Sequence, residues 1–342
     1  MTYHRKIVAG ALAFLVVFTL AFSLSAGQYD LSFVQVMAWF CHQLGLPVLE
    51  DVQVSAQQEA VLMFIRSPRT LVGFMVGAGL AASGTILQGL FSNPLADPGI
   101  IGVSSGATVG AVLAITLGVN AVNMFAMPAF AFVGAIVAVL ITITLATRHG
   151  RIPVLTLLLS GVVVGMLLGA ITAAMLVVMD EYKLQQYLFW TVGSLDYRRW
   201  EHVLMGIGPI SLGIGIMLLM ARHLNILALG EAEAKAVGMP VGKYRLILLL
   251  VSAMTTATSV CISGSIGFVG LIIPHMMRML VGPNHKYLLP ASIVAGGVFL
   301  LFCDSLGRIL IEKHEVNVGI MTAFLGTPYF LYLLRKNSNL EK

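Results

Sequence analysis

The chain has 342 residues, 58% hydrophobic and only 10% charged, with a formal net charge of +5. A soluble domain carries about 25% charged residues, so this composition excludes water as the sole solvent and requires lipid. Cys41, Cys261 and Cys303 lie far apart with no CxxC pair, which argues against a disulfide framework or a thiolate metal site.

In chain order, uncharged stretches run 7–26, 70–96, 98–147, 152–179, 203–221, 246–277, 287–303 and 316–334. A helix needs about 20 residues to cross hydrocarbon. The first stretch follows His4, Arg5 and Lys6 and exceeds the apolar core of a signal peptide, about 7 to 15 residues, so it reads as a retained span. The small residues Ser23, Ser25 and Ala26 leave cleavage as the alternative. The 98–147 stretch holds two spans, with the turn-prone run from Gly118 to Asn123 between them. The 246–277 stretch is too long for one upright span and offers a break from Ser263 to Gly267. The expectation is an all-α integral membrane protein of about ten transmembrane helices, residues 1–342 forming a single transmembrane domain.

With an even number of spans both termini share a side. Placing them inside puts thirteen Lys and Arg residues on the inner segments against seven outside, and eleven Asp and Glu residues outside against four inside. The positive-inside preference then makes both termini cytoplasmic. The net positive charge belongs to orientation, and no basic cluster with interleaved aromatics marks a nucleic-acid surface.

Gly102, Gly106 and Gly110 recur at every fourth position, as do Gly161, Gly165 and Gly169. Such faces let helix backbones approach closely; they serve packing, or they line a path. The helix centres hold almost no Asp, Glu, Lys or Arg, the groups that ion-coupled transporters use. His275, after Pro274, has either a structural or a ligand role. No His-Glu-x-x-His is present, and the run from Gly238 to Tyr244 has the wrong glycine spacing for a Walker A loop. No catalytic or metal-binding constellation appears in this chain, and any ATP site lies on another subunit.

Three local features stand out beyond the spans. Asn93-Pro94 and Asp97-Pro98 mark turns after the second span. Leu227 to Gly238, within the loop at about 222–245, is a helix-forming run ended by glycine, readable as a plain amphipathic connector. Arg66 and Arg69 precede the second uncharged stretch, where snorkelling to the interface would account for them.

Three longer motifs carry a resemblance: Gly84 to Gly106 (GTILQGLFSNPLADPGIIGVSSG), Gly267 to Arg278 (GFVGLIIPHMMR) with Gly282 to Lys286 (GPNHK), and Val318 to Phe330 (VGIMTAFLGTPYF). Over roughly Ser67 to Arg335 the chain resembles the permease subunits of type II ABC importers, the FecCD-type family that takes up iron-siderophores, haem and vitamin B12. The resemblance implies a homodimeric channel subunit in a bacterial cytoplasmic membrane. It moves a metal chelate, an iron-siderophore first, with haem or cobalamin as the other candidates, by alternating access. It implies an ABC ATPase dimer on the cytoplasmic side, which holds ATP and magnesium, and an extracytoplasmic substrate-binding protein. Carried over by motif, Gly230, Glu231, Ala234 and Gly238 belong to the coupling helix, Asn93 and Leu95 narrow the cytoplasmic gate, and Arg66, Arg69 and Arg308 dock glutamates of the binding protein. Arginine suits that last task because its fixed fork of donors holds a carboxylate bidentately. The rival reading is a secondary transporter driven by an ion gradient.

Overall fold

In hydrocarbon every backbone N–H and C=O must be satisfied within the chain, which leaves helices as the solution for so apolar a sequence. The computed structural model describes residues 2–338 except 47, 50 and 148–151. Of the charges used above to orient the chain, Arg148, Arg151, Lys342, Glu50 and Glu341 lie outside the described residues. The principal helices are α1 (Thr2–Ser25), α2 (Phe33–Gln43), α3 (Ala56–Leu90), α4 (Val103–Leu117), α5 (Ala126–Ala146) and α6 (Val154–Val177). They continue with α7 (Glu181–Val192), α8 (Trp200–Leu219), α9 (Val241–Ser263), α10 (Val269–Val281), α11 (His285–Ile309) and α12 (Val318–Ser338). Seven of them, α1, α3, α5, α6, α8, α9 and α11, are long and apolar enough to cross a membrane, and α4, α10 and the Val318–Leu331 part of α12 are shorter apolar helices. That makes about ten membrane helices, as the sequence predicts.

Both double-length stretches break where expected. Gly118, at φ +71°, closes α4, and Gly264, at φ +75°, closes α9 against the Trp190 carbonyl, where a side chain would collide. Several helices run past the charges that bound the uncharged stretches, α3 and α11 furthest. α3 begins at Ala56, well before residue 70, and α11 runs to Ile309, past Cys303. Arg66, Arg69, Asp304 and Arg308 therefore lie within helices, buried. A cut made at each charge assumes that charge means water, whereas these charges compensate one another inside the bundle.

α3 is the central helix. In its most apolar window 83% of residues are buried, against 17% for α1 and α6. It packs against α8, α9, α10 and α11. Close approach depends on glycine: a Cβ on Gly77 would strike the Gly296 carbonyl of α11, and one on Gly84 the Gly270 carbonyl of α10. The two glycine ladders have different fates. Gly106 faces the Gly134 carbonyl and Gly110 the Phe130 carbonyl, so the first ladder packs α4 on α5. In α6, Gly161 meets the Ile100 carbonyl, Gly165 makes ordinary contact with Ser105 at 3.5 Å, and Gly169 has nothing within 4 Å. The second ladder packs only at its start.

The start of α1 and the middle of α12 each reach the last turn of α10. Arg5 Nε donates to the Val281 carbonyl at 3.1 Å, its guanidinium lies 4.2 Å above the Tyr287 ring, and the Tyr329 hydroxyl is 3.9 Å from the Met279 sulfur. Substituting Gly84→Ala forces a methyl into a backbone carbonyl that cannot rotate away, at a cost of about 1–3 kcal/mol; the expected result is a lower melting temperature in detergent micelles. Gly169→Ala, entering open space, should leave the melting temperature unchanged or raise it slightly, by up to ~1 kcal/mol of helix propensity.

Candidate functional site

At the end of the bundle opposite Arg5, α3 carries a π-helical turn, Leu62–Arg66, followed directly by Ser67-Pro68-Arg69. Arg66 and Arg69, three residues apart, share a face, and both turn inward, 3% and 8% exposed. Arg66 donates Nη1 to the Leu24 and Ser25 carbonyls, both at 2.8 Å, and Nη2 to Tyr29 at 2.6 Å, which fastens α1 and its following turn to α3. Gly27, at φ +147°, leaves the room this needs, because a Cβ there would sit 2.9 Å from Arg66 Nη2.

Arg69 is the hub of an ion cluster. Its Nη2 lies 2.8 Å from both Asp304 and Asp196, and its Nη1 lies 2.7 Å from Glu315. Asp304, with 1% of its side chain exposed, also lies 3.2 Å from Arg308 Nε one helical turn on. Arg308 completes its fork with the Ala26 carbonyl and the Ser23 hydroxyl, both at 2.9 Å. Burial, with the neighbouring Asp196 carboxyl, raises Glu315 above the usual carboxylate range against the pull of Arg69. The structure thus brings the three sequence-predicted arginines together, but with their donors already engaged by oxygens of their own chain. Sequence reasoning missed Asp304, Asp196 and Glu315 as their partners; only the i, i+4 spacing of Asp304 and Arg308 offered a signal.

Beside this cluster lies a cavity of about 1120 Å³, bounded by the turn between α4 and α5, by α7, and by the segments before α8 and α12. Arg69, Asp196 and Glu315 form part of its wall, Trp190 and Phe189 contribute aromatic side chains, and Asn120 and Gln186 contribute amides joined at 3.0 Å. Among the described residues no group of three or more His, Cys, Asp or Glu side chains is arranged to hold a metal ion.

The opposite end presents the loop between α8 and α9. The chain turns at Gly230 (φ +125°), forms a short helix Glu231–Ala236, and turns again at Gly238 (φ +77°). Ala234 is fully buried and its carbonyl accepts from the Met239 N–H at 3.0 Å. Glu231 is spent inside the chain, with Lys235 at 2.6 Å and Arg245 at 3.3 Å; the Lys235 hydrogen bond holds its carboxyl below the usual range. Arg245 also donates to the Ile152 carbonyl at 2.9 Å. The large apolar side chains that the loop turns outward are Leu229 and Val237, about 71% and 69% exposed. A bulky charge at Ala234 would disturb the fold, so it cannot serve as a probe of docking alone. At the foot of α3, Asn93 Oδ1 accepts from the Leu95 N–H at 2.9 Å and Leu95 is exposed, so the two predicted gate residues form one capped turn. His275 stands apart from both ends' clusters, half-buried.

The ion cluster sets a clear order of effects. Asp304→Asn leaves two buried guanidiniums undercompensated, a loss of about 3–5 kcal/mol for a broken buried pair. Asp196→Asn removes a partner whose side chain is 28% exposed, and costs less. Thermal unfolding of the two variants in one detergent should separate them in that order; equal shifts would contradict the central place of Asp304.

Comparison with known proteins agrees with this architecture. The chain is 45% identical over 293 residues to the cobalamin import system permease protein BtuC of Halobacterium salinarum, covering 86% of this chain and 76% of that one. It is 41% identical to the hemin transport system permease protein HmuU of Yersinia pestis, over 79% of this chain and 81% of the relative. A solved inward-facing structure of an ABC transporter of metal-chelate type superposes with a TM-score of 0.85 at 36% identity, over 97% of this chain and 99% of that one. The profile of the FecCD transport family matches residues 15–336, nearly the whole helical bundle together with both ends just described, and the chain belongs to that family.

Proposed function

We propose that the chain is the membrane-spanning subunit of an ATP-driven importer, working as a homodimer that passes a metal chelate inward by alternating access. The observation that carries this reading is the full-length match to the FecCD transport family. The physical features fit it: buried helix charges gathered into one compensated cluster near a single end, no nucleotide loop in the sequence, and a short helix held out at the other end. The chelate is an iron-siderophore first, with haem and cobalamin as the other candidates; hemin and cobalamin appear in the names of the two relatives above.

In this reading both termini and the Glu231–Ala236 helix are cytoplasmic, and an ABC ATPase, which holds ATP and magnesium, docks on that helix through Leu229 and Val237. Gly230 and Gly238 shape the turn, Ala234 seats it, and Glu231 stiffens it. Asn93 and Leu95 stand at the same end as the gate. A substrate-binding protein docks at the other end, around Arg66, Arg69 and Arg308. Since those forks are filled, an incoming carboxylate reaches Arg69 by exchange with Asp196 or Glu315, the two partners whose side chains are partly exposed, at 28% and 29%. The single domain spans residues 1–342, in a bacterial cytoplasmic membrane.

Reconstitution with the ATPase and binding protein tests the proposal. Chelate uptake into vesicles should require ATP and survive collapse of ion gradients; uptake by this chain alone, without ATP and lost with the gradient, would instead support a secondary transporter. A double substitution, Leu229→Asp with Val237→Asp, should lower ATPase association and uptake at least tenfold while helix content stays unchanged. Normal coupling in that variant would move the docking surface elsewhere.

A further inference from the structure

The cavity beside the ion cluster has a charge balance that the cluster does not account for. Of the cations in its wall, Arg69 is absorbed by Asp304, Asp196 and Glu315. Arg198, Arg199 and Lys313 are not: among the described contacts none of them forms an ion pair within 4 Å, and the only side-chain hydrogen bond is from Arg198 to the Ser194 carbonyl at 3.2 Å. Arg198 Nε is buried with no acceptor. Burial lowers its guanidinium to about 10 against the pull of the nearby Asp196 carboxylate, which leaves it fully charged at neutral pH. Arg199 and Lys313 are exposed and come to the wall from different segments, one just before α8 and the other between α11 and α12.

The volume, about 1120 Å³, slightly exceeds the usual range for small-molecule sites, roughly 300–1,000 Å³. The rest of the wall combines the aromatic side chains of Trp190 and Phe189 with the neutral amides of Asn120, Gln186 and Asn317. A wall with surplus cations and a buried donor that lacks an acceptor selects for negative charge. We propose that this cavity is a binding site for an anionic metal chelate, with Arg198, Arg199 and Lys313 as its charge-selecting residues. The inference rests on the importer reading and narrows its substrate class: a chelate with peripheral carboxylates, or another anionic periphery, is favoured over a neutral one of similar size.

Iron(III) citrate, anionic at neutral pH, and cyanocobalamin, which carries no net charge, are suitable probes. Titrated into the full chain in nanodiscs, iron(III) citrate should saturate a quench of Trp190 fluorescence, a signal lost in Trp190→Phe. Raising sodium chloride from low to high concentration should weaken it, because exposed charges are screened within about 10 Å at 0.1 M salt. Arg199→Glu with Lys313→Glu should raise the Kd for iron(III) citrate at least tenfold and leave any cyanocobalamin binding within twofold. Both positions are exposed, so folding should survive, and Arg199→Gln with Lys313→Gln gives a milder pair with an intermediate loss. No saturable iron(III) citrate binding, an unchanged affinity in both pairs, or an equal loss for cyanocobalamin overturns the proposal. So does loss of binding-protein capture with chelate affinity intact, since the cations would then serve an acidic protein surface. ATP-driven uptake that keeps its wild-type preference in the charge-reversed pair removes this inference alone, whereas absence of ATP-driven uptake of any chelate removes the importer reading.

Discussion

A carboxylate as enclosed as that of Asp304 is tolerable only where cations meet it, and Arg69 and Arg308 do so from two directions. Each guanidinium has other obligations. Arg69 reaches to the segments before α8 and α12 through Asp196 and Glu315, and Arg308 reaches to the end of α1 through Ala26 and Ser23. Five separate pieces of chain are thereby tied to one buried charge. The neighbouring cavity inherits its shape from this arrangement, because Arg69, Asp196 and Glu315 belong to its wall. Removing one partner would leave the others charged and poorly solvated, which is why such clusters resist piecemeal change.

The ten membrane helices were legible in the sequence because the solvent dictates their length, and glycines at positive φ, Gly118 and Gly264, mark the breaks physically. The helix ends were not legible where α3 and α11 carry charge. Asp304 and Arg308 sit one turn apart and hint at a pair, but Arg69 lies 235 residues from Asp304 in sequence, and nothing local announces their meeting. Motif resemblance placed Arg66, Arg69 and Arg308 at one end of the bundle without indicating which way they point. Burial is a property of what surrounds a side chain, and spacing alone does not carry it.

The glycine ladders teach the same lesson. Gly106 and Gly161 belong to identical repeats, yet one ladder is consumed by the contact of α4 with α5, while the other runs out at Gly169, where nothing is near. Periodicity defines a face, and only the tertiary arrangement decides what that face meets. Likewise the run from Leu227 to Gly238 announces a short helix, but six residues are too few for a pattern to choose an inner side. The fold chooses it by burying Ala234.

That choice separates two kinds of constraint within a dozen residues. Ala234 and Met239 face the bundle and answer to the protein's own stability, whereas Leu229 and Val237 face away and are free of it. The two sets are disjoint, so each is able to drift without disturbing the other. The outward face of this loop can therefore be respelled residue by residue, while the packing beneath it, and the transmembrane bundle that packing rests on, keep a single solution.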